Sequence, residues 1–181
     1  PGEIYSYFTY TQKSFWDIFR NSSPFAETNY NPGLLLIKPI YSKGEFSKLL
    51  MFSIEHESNG RDSTFSRSWN FVSIRYAQIF SKNVHASLKL WTPIGISDNP
   101  DITKYIGYGE IQMSWMIIKN KLFADASARM GKNFDRGSFL TEISWKPVAK
   151  TNQYFTLQWW QGTAENLLDY KKNIKITPQR L

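Results

Sequence analysis

Three residues within "EHESNGRDSTFSRSWN" (55–70) could do chemistry together: His56, Ser58 and Asn70. A serine hydroxyl is a poor nucleophile until a neighbouring base takes its proton. Imidazole can do so near neutral pH, for an effect of about 10²–10⁴-fold. A third group must then hold the ring through its other nitrogen. Aspartate usually does this; a neutral asparagine can orient the ring without stabilising the imidazolium charge. The chemistry implied is acyl transfer. The bland alternative is that a His-X-Ser at a strand end beside a polar loop is surface decoration.

What must bring the three together is a pair of strands. On the segment 46–58, Leu50, Phe52, Ile54, His56 and Ser58 share one face by period two, and Met51, Ser53, Glu55 and Glu57 share the other. On the next segment, Asn70, Val72, Ile74, Tyr76 and Phe80 form a mostly apolar face. Pairing across the loop 59–67 places His56, Ser58 and Asn70 on one apolar surface. Polar groups facing lipid are costly without a reason.

The same alternation runs through the chain. Ile111, Met113, Trp115 and Ile117 alternate with Glu110, Gln112 and Ser114, and Phe139, Thr141, Ile143 and Trp145 with Leu140, Glu142, Ser144 and Lys146. Turn signals at "NPG" (31–33), "SKGE" (42–45), "SKN" (81–83), "SDNPD" (97–101), "KNK" (119–121), "GKNFDRG" (131–137) and "KTN" (150–152) divide it. About ten strands are predicted: 3–14, 33–42, 46–58, 66–80, 83–93, 102–118, 121–131, 136–147, 152–163 and a ragged one near 168–178. Long polar connections alternate with short ones, the asymmetry of outer-membrane barrels. The polar faces, which carry Asp125 and Arg129 among others, suit either a lumen or the outside of a soluble sandwich. Aromatics near strand ends (Trp16, Trp91, Trp159, Trp160, Tyr105, Tyr108) lean toward the interfacial girdles of a barrel. At this level barrel and sandwich both stand, the barrel ahead.

Composition narrows the classes. The 181 residues suit one domain. No cysteine is present, which excludes disulfides and thiolate metal sites. The net charge of +7 is dispersed rather than clustered, and nucleic acid is not an expected partner. Mean hydropathy is −0.43. No apolar run approaches the ~18 residues of a spanning helix, but a barrel strand needs only ~9–11 and shows lipid every second residue. The chain begins at Pro1 without a methionine or signal peptide, so location is inferred from its body.

"HESNGRDSTFSRSWN" closely resembles the active-site segment of the bacterial outer membrane phospholipase A family. "YTQKSFW" (10–16), "SSPFAETNYNP" (22–32), "NPDITKYIGY" (99–108) and "ENLLDY" (165–170) agree in order, so the resemblance spans nearly the whole chain. It implies an all-β, antiparallel transmembrane barrel in the bacterial outer membrane, twelve-stranded in the family, and a calcium-dependent hydrolase of phospholipid acyl esters activated by homodimerisation. It implies His56 as general base, Ser58 as nucleophile, Asn70 as orienting amide and the Gly60 amide as oxyanion donor. For calcium it implies the carbonyls of Arg61 and Ser66, with the hydroxyl of Ser22 from a second protomer. Gln12 matches a polar residue of the family's dimer interface, or else is an ordinary strand glutamine.

The loop reads "RDSTFS", without the family's acid–proline pair, which leaves open whether Asp62 and Asp98 form a second calcium site. Residues 1–181 are expected to form a single barrel domain lacking the family's first two strands and a regular last strand, because "KKNIKITPQRL" is not alternating and Pro178 would interrupt a ladder. The alternative to the enzyme is a catalytically inactive barrel, a pore or a relic.

Overall fold

The computed structural model describes residues 3–148 and 150–176. The chain is all-β: ten strands in one antiparallel sheet, each paired with its neighbours in sequence. They are β1 (Tyr5–Trp16), β2 (Phe25–Ser42), β3 (Glu45–Ser58), β4 (Ser68–Ser81), β5 (Val84–Gly95), β6 (Gly109–Ile118), β7 (Leu122–Met130), β8 (Gly137–Trp145), β9 (Phe155–Gly162) and β10 (Ile174–Ile176). Among the described residues β1 pairs only with β2 and β10 only with β9, so the sheet is not closed. Pro178 lies outside the described residues.

Period two assigns the faces. Outward point apolar side chains such as Phe52, Ile54 and Ile74, which are 43%, 48% and 47% exposed. Inward points a polar network. Lys89 Nζ meets Glu55 Oε1 at 2.7 Å. Arg75 donates to Ser87 Oγ (2.7 Å) and Gln112 Oε1 (2.9 Å) and pairs with Glu110 (3.3 Å). The Ser53 and Ser73 hydroxyls are 2.6 Å apart. Charges turned from an apolar wall must find partners, and these do.

The connections alternate as expected. One end carries the connections 17–24, 59–67, 96–108, 131–136 and 163–173; the other carries 43–44, 82–83, 119–121 and 146–154. Two long connections fold back into the first end. Ile102, Tyr105 and Ile106, with Leu167 and Tyr170, pack against Trp69, Phe71 and Trp91 in the main apolar cluster. Three expectations are corrected by the structure. Trp91, Trp160 and Tyr105 are buried rather than girdle residues, and the Trp91 Nε1–H donates to the Gly107 carbonyl (2.9 Å). Residues 102–108 are not strand. Ile102, Tyr105 and Ile106 fall at i, i+3, i+4 about the helical turn α1 (Thr103–Ile106) and are buried together. "NPG" is no turn either: Pro32 and Gly33 lie inside β2, which starts at Phe25.

Candidate active site

The site is built on the β3–β4 pair. Its register sets His56 opposite Asn70 and Ser58 opposite Ser68. His56 Nδ1 lies 2.8 Å from Asn70 Oδ1. An oxygen can only accept, so this contact places the imidazole proton on Nδ1 and leaves Nε2 as the free base. Ser58 follows two residues on, on the same face and roughly 6.5–7 Å along the strand. Among the described residues no hydrogen bond joins it to His56. In structures without substrate such bonds are commonly long. Asn70 also faces Gly95 of β5, and a Cβ at Gly95 would stand 3.1 Å from Asn70 Nδ2.

The loop 59–67 carries the next candidates. Gly60 has φ +64°, a conformation L side chains rarely adopt, and a Cβ there would lie 3.1 Å from the Tyr30 ring. Its N–H donates to no protein group among the described residues. Arg61 is anchored by its side chain: Nη2 donates to the Ala26 carbonyl (2.5 Å), and Nε stands 3.1 Å from the buried Glu27 carboxylate. Arg67 donates to the carbonyls of Ser66 (2.6 Å) and Thr64 (3.0 Å). Asp98 accepts from Ser66 Oγ (2.8 Å) and Ser68 Oγ (3.0 Å), and these two bonds hold its carboxyl below the usual range.

Two asparagines that sequence reasoning passed over hold this loop. Asn59, 5% exposed, donates to the Phe65 carbonyl (2.9 Å) and accepts from the N–H groups of Arg61 (3.3 Å) and Arg67 (2.9 Å). Asn99, with no exposed surface, accepts from Ser68 N–H (3.1 Å) and donates to the Ser68 carbonyl (3.0 Å). Both stood in view as turn residues in "SNG" and "DNP".

The calcium candidates are hard oxygen donors of the kind that cation takes. The carbonyls of Arg61 and Ser66 sit on one knotted loop. The Arg67 guanidinium takes one of the two lone pairs at Ser66 and leaves the other. Among the described residues no three His, Asp or Glu side chains converge as a metal site, so a cation here would rest on carbonyls and hydroxyls. Ser22, φ +66° on the exposed loop 17–24, makes no hydrogen bond to loop 59–67. The Asp62 side chain makes no hydrogen bond to Asp98 or its serines; the Asp62 carbonyl accepts from Phe65 N–H (3.2 Å). Gln12 is exposed on β1, bonded to Tyr10 (3.0 Å) and Ser14 (3.2 Å). It pairs with Tyr30, which pairs with Ser58, so it lies two strands from the serine, roughly 10 Å.

A family model described as phospholipase A1 matches residues 3–177. The chain belongs to the phospholipase A1 family. It is 34% identical over 172 residues to the phospholipase A1 of Proteus vulgaris, an alignment covering 91% of this chain and 57% of that protein. It is 35% identical over 175 residues to that of Salmonella typhimurium, with the same two shares. The chain thus spans a little over half the length of these phospholipase A1 relatives. Among solved structures it is similar to outer membrane phospholipase A from Escherichia coli (TM-score 0.81, 32% identity, 93% of this chain and 66% of that one). It is equally similar to the Salmonella typhi outer membrane phospholipase dimer with bound calcium (TM-score 0.81, 32% identity, 93% and 67%). These likenesses settle the choice that alternation left open: the sheet is the wall of a membrane barrel, not half of a soluble sandwich.

Proposed function

We propose that this outer-membrane chain hydrolyses acyl ester bonds of phospholipids through a Ser-His-Asn site on its outer wall. The observation that carries the reading is the 2.8 Å contact between His56 Nδ1 and Asn70 Oδ1, on a wall of exposed apolar side chains with Ser58 on the same face. Lipid is the medium that wall meets, so an ester held at the interface arrives at the serine without leaving the membrane. A relative supports the role of the amide: an Escherichia coli outer membrane phospholipase A with asparagine changed to alanine is described as an active-site mutant.

The steps follow from the side chains. Ser58 Oγ attacks the ester carbonyl carbon while His56 Nε2 takes its proton. Asn70 keeps the Nδ1 tautomer throughout. The Gly60 N–H, without an acceptor among the described residues, is available for the oxyanion, and one such donor is typically worth ~2.7–4 kcal/mol of barrier. The protonated His56 gives its proton to the leaving lysophospholipid oxygen. His56 then takes a proton from the water that attacks the acyl carbon and returns it to Ser58 Oγ as the acyl–oxygen bond breaks, releasing fatty acid and free serine. The carbonyls of Arg61 and Ser66, with Ser22 of a second copy, would hold calcium. Calcium bound there would supply electrostatic stabilisation of developing negative charge. Gln12, two strands from Ser58 on the outer face, is the polar residue we place in the dimer interface. Dimerisation is thereby the activating event, because it completes the metal site.

The test is fatty acid release from phospholipid micelles by detergent-refolded protein, with calcium and with chelator, beside Ser58→Ala. Calcium-dependent release that vanishes in Ser58→Ala is the expected result. A second reading, a barrel without catalytic activity, draws on the Ser58 hydroxyl, which among the described residues makes no hydrogen bond to His56. No release from folded protein would establish that reading and sink the first.

A further inference from the structure

We infer that Asn31, on the lumen side of β2, is a positioning residue for the proposed catalytic pair: it holds the peptide between His56 and Glu57 and so sets the angle between His56 and Ser58. The inference rests on the reading of His56 and Ser58 as base and nucleophile.

The starting point is a gap in the β2–β3 ladder. Tyr30 pairs with Ser58, and Gly33 with Glu55, at constant register. Pro32 therefore faces His56 and Asn31 faces Glu57, yet neither of these two pairings forms. Antiparallel strands alternate between residue pairs that exchange both N–H···O bonds and pairs that exchange none. The pattern of loss identifies which kind 32–56 is. If it exchanged bonds, the missing N–H of proline would remove the His56 carbonyl's partner and disturb positions 31 and 32 while sparing 33. If it did not, proline would cost nothing on this side. The first pattern is the one observed. The His56 carbonyl has lost its ladder donor to Pro32.

The vacancy is filled from the side. Asn31 Nδ2 donates to the His56 carbonyl at 3.0 Å. The acceptor is a carbonyl, so the amide's NH₂ must face it. Asn31 is half-buried and lines the interior cavity of about 310 Å³ along with Thr11, Lys13, Glu55 and Glu57. The bond thus reaches the catalytic strand from inside the barrel, through the wall from the lipid face. What it fixes is the peptide plane that separates His56 from the following residues. Rotation of that plane turns the His56 side chain relative to Ser58, two positions on. The same parity leaves His56 and Asn70 as a pair without mutual backbone bonds, the kind whose side chains stand closer, in keeping with their 2.8 Å contact.

Proline itself makes the test. Pro32→Ala restores a backbone N–H at the position facing the His56 carbonyl. Four refolded proteins are compared under saturating calcium: wild type, Asn31→Ala, Pro32→Ala, and the double variant. Expected is a fall in kcat of about 10-fold for Asn31→Ala with KM little changed, near-wild-type kcat for Pro32→Ala, and recovery in the double variant to within about threefold. Because the restored ladder bond can also raise stability, kcat is expressed per folded protein, which a general gain in stability does not change. Asn31→Ala within twofold of wild type, or a folded double variant no better than Asn31→Ala, overturns the inference.

A second measurement is independent of turnover. The chain holds two histidines, His56 and His85, so in a His85→Gln background the imidazole Cε1–H resonance belongs to His56 alone. Asn31→Ala is expected to shift or broaden it, and the added Pro32→Ala to restore it. An unmoved resonance overturns the positioning role. A resonance that moves as expected in a protein without Ser58-dependent hydrolysis shows that Asn31 orients the His56 ring but sinks the lipase reading, and with it the catalytic purpose of that orientation.

Discussion

The side chain of Asn70 occupies space that only a glycine at position 95 leaves open: a Cβ there would stand 3.1 Å from Asn70 Nδ2. β4 and β5 shift register between Asn70 and Phe71 beside this point, so the amide is wedged between His56 and the Gly95 backbone. Gly95→Ala should displace it by a few tenths of an ångström and lower kcat by about 10-fold, because small misplacements of positioning groups are expensive. Asn70→Ala should lower kcat by about 10²-fold through loss of the held tautomer. The two changes act through one bond, so adding Gly95→Ala to Asn70→Ala should cost almost nothing further. Kinetics of the double-mutant cycle read this directly; additive losses would show that Gly95 acts elsewhere.

Gly60→Ala should damage activity more than stability. The residue holds φ +64°, which costs a non-glycine residue about 1–2 kcal/mol, and its new methyl would press on the Tyr30 ring. The backbone can relax only by turning the 59–60 peptide, and the N–H proposed as oxyanion donor turns with it. A kcat fall of about 10²-fold is expected, against a modest drop in the urea midpoint of unfolding. Equal kcat in both proteins would remove Gly60 from the oxyanion role.

Much of this was open to reading before any coordinates. Period two placed His56, Ser58 and Asn70 on one face, and an antiparallel pair around a nine-residue loop brings such faces together whatever lies elsewhere. Strand number and the alternation of long and short connections followed from the same local rules. The unreadable parts depend on distant partners. Asn59 and Asn99 look like any turn asparagine until the backbone groups they satisfy are known. Trp91 and Tyr105 carry no mark telling an inward aromatic from a girdle one, because that depends on loops 96–108 and 163–173 folding into the mouth. Pro32–Gly33 reads as a turn because local propensity favours one; the flanking strands on both sides override it.

Asn59→Ala should unravel the site's loop while leaving the sheet intact. The side chain serves one carbonyl and two N–H groups of residues 61–67. Its loss leaves those groups without partners in a partly buried turn, at about 1–3 kcal/mol. The expected result is loss of calcium-dependent activity with an unchanged far-ultraviolet spectrum, and new proteolytic cleavage within 59–67. Asn59→Asp should retain the two N–H bonds and lose only the one to Phe65, with a smaller effect on cleavage.

The mouth of the sheet should loosen at high pH, through Tyr170. Its ring is buried against Tyr105, at 5.3 Å between centroids, and its hydroxyl donates to Asp101. Burial, then the bond to Asp101, pushes the phenol up to about 12. Burial alone would raise Asp101, but the bonds from Tyr170 and Lys171 outweigh it and hold that carboxyl below its ordinary range. Lys171, 2.9 Å from Asp101, is held up by that bond. The signs follow from linkage. For a group whose folded pKa is raised, the stabilisation is complete below the unfolded value, about 10 for tyrosine, and is lost as pH climbs toward 12. Lys171 loses its share in the same direction. For Asp101, depressed on folding, the stabilisation is present above the ordinary carboxylate range and lost as pH falls through it. Hydrogen exchange of loop 163–173, corrected for its intrinsic pH dependence, should therefore show protection falling between pH 10 and 12 in the wild type. Tyr170→Phe should begin less protected and lose less across that window, keeping only the part carried by Lys171. The same pH response in both proteins would show that the phenol plays no part in closing the mouth.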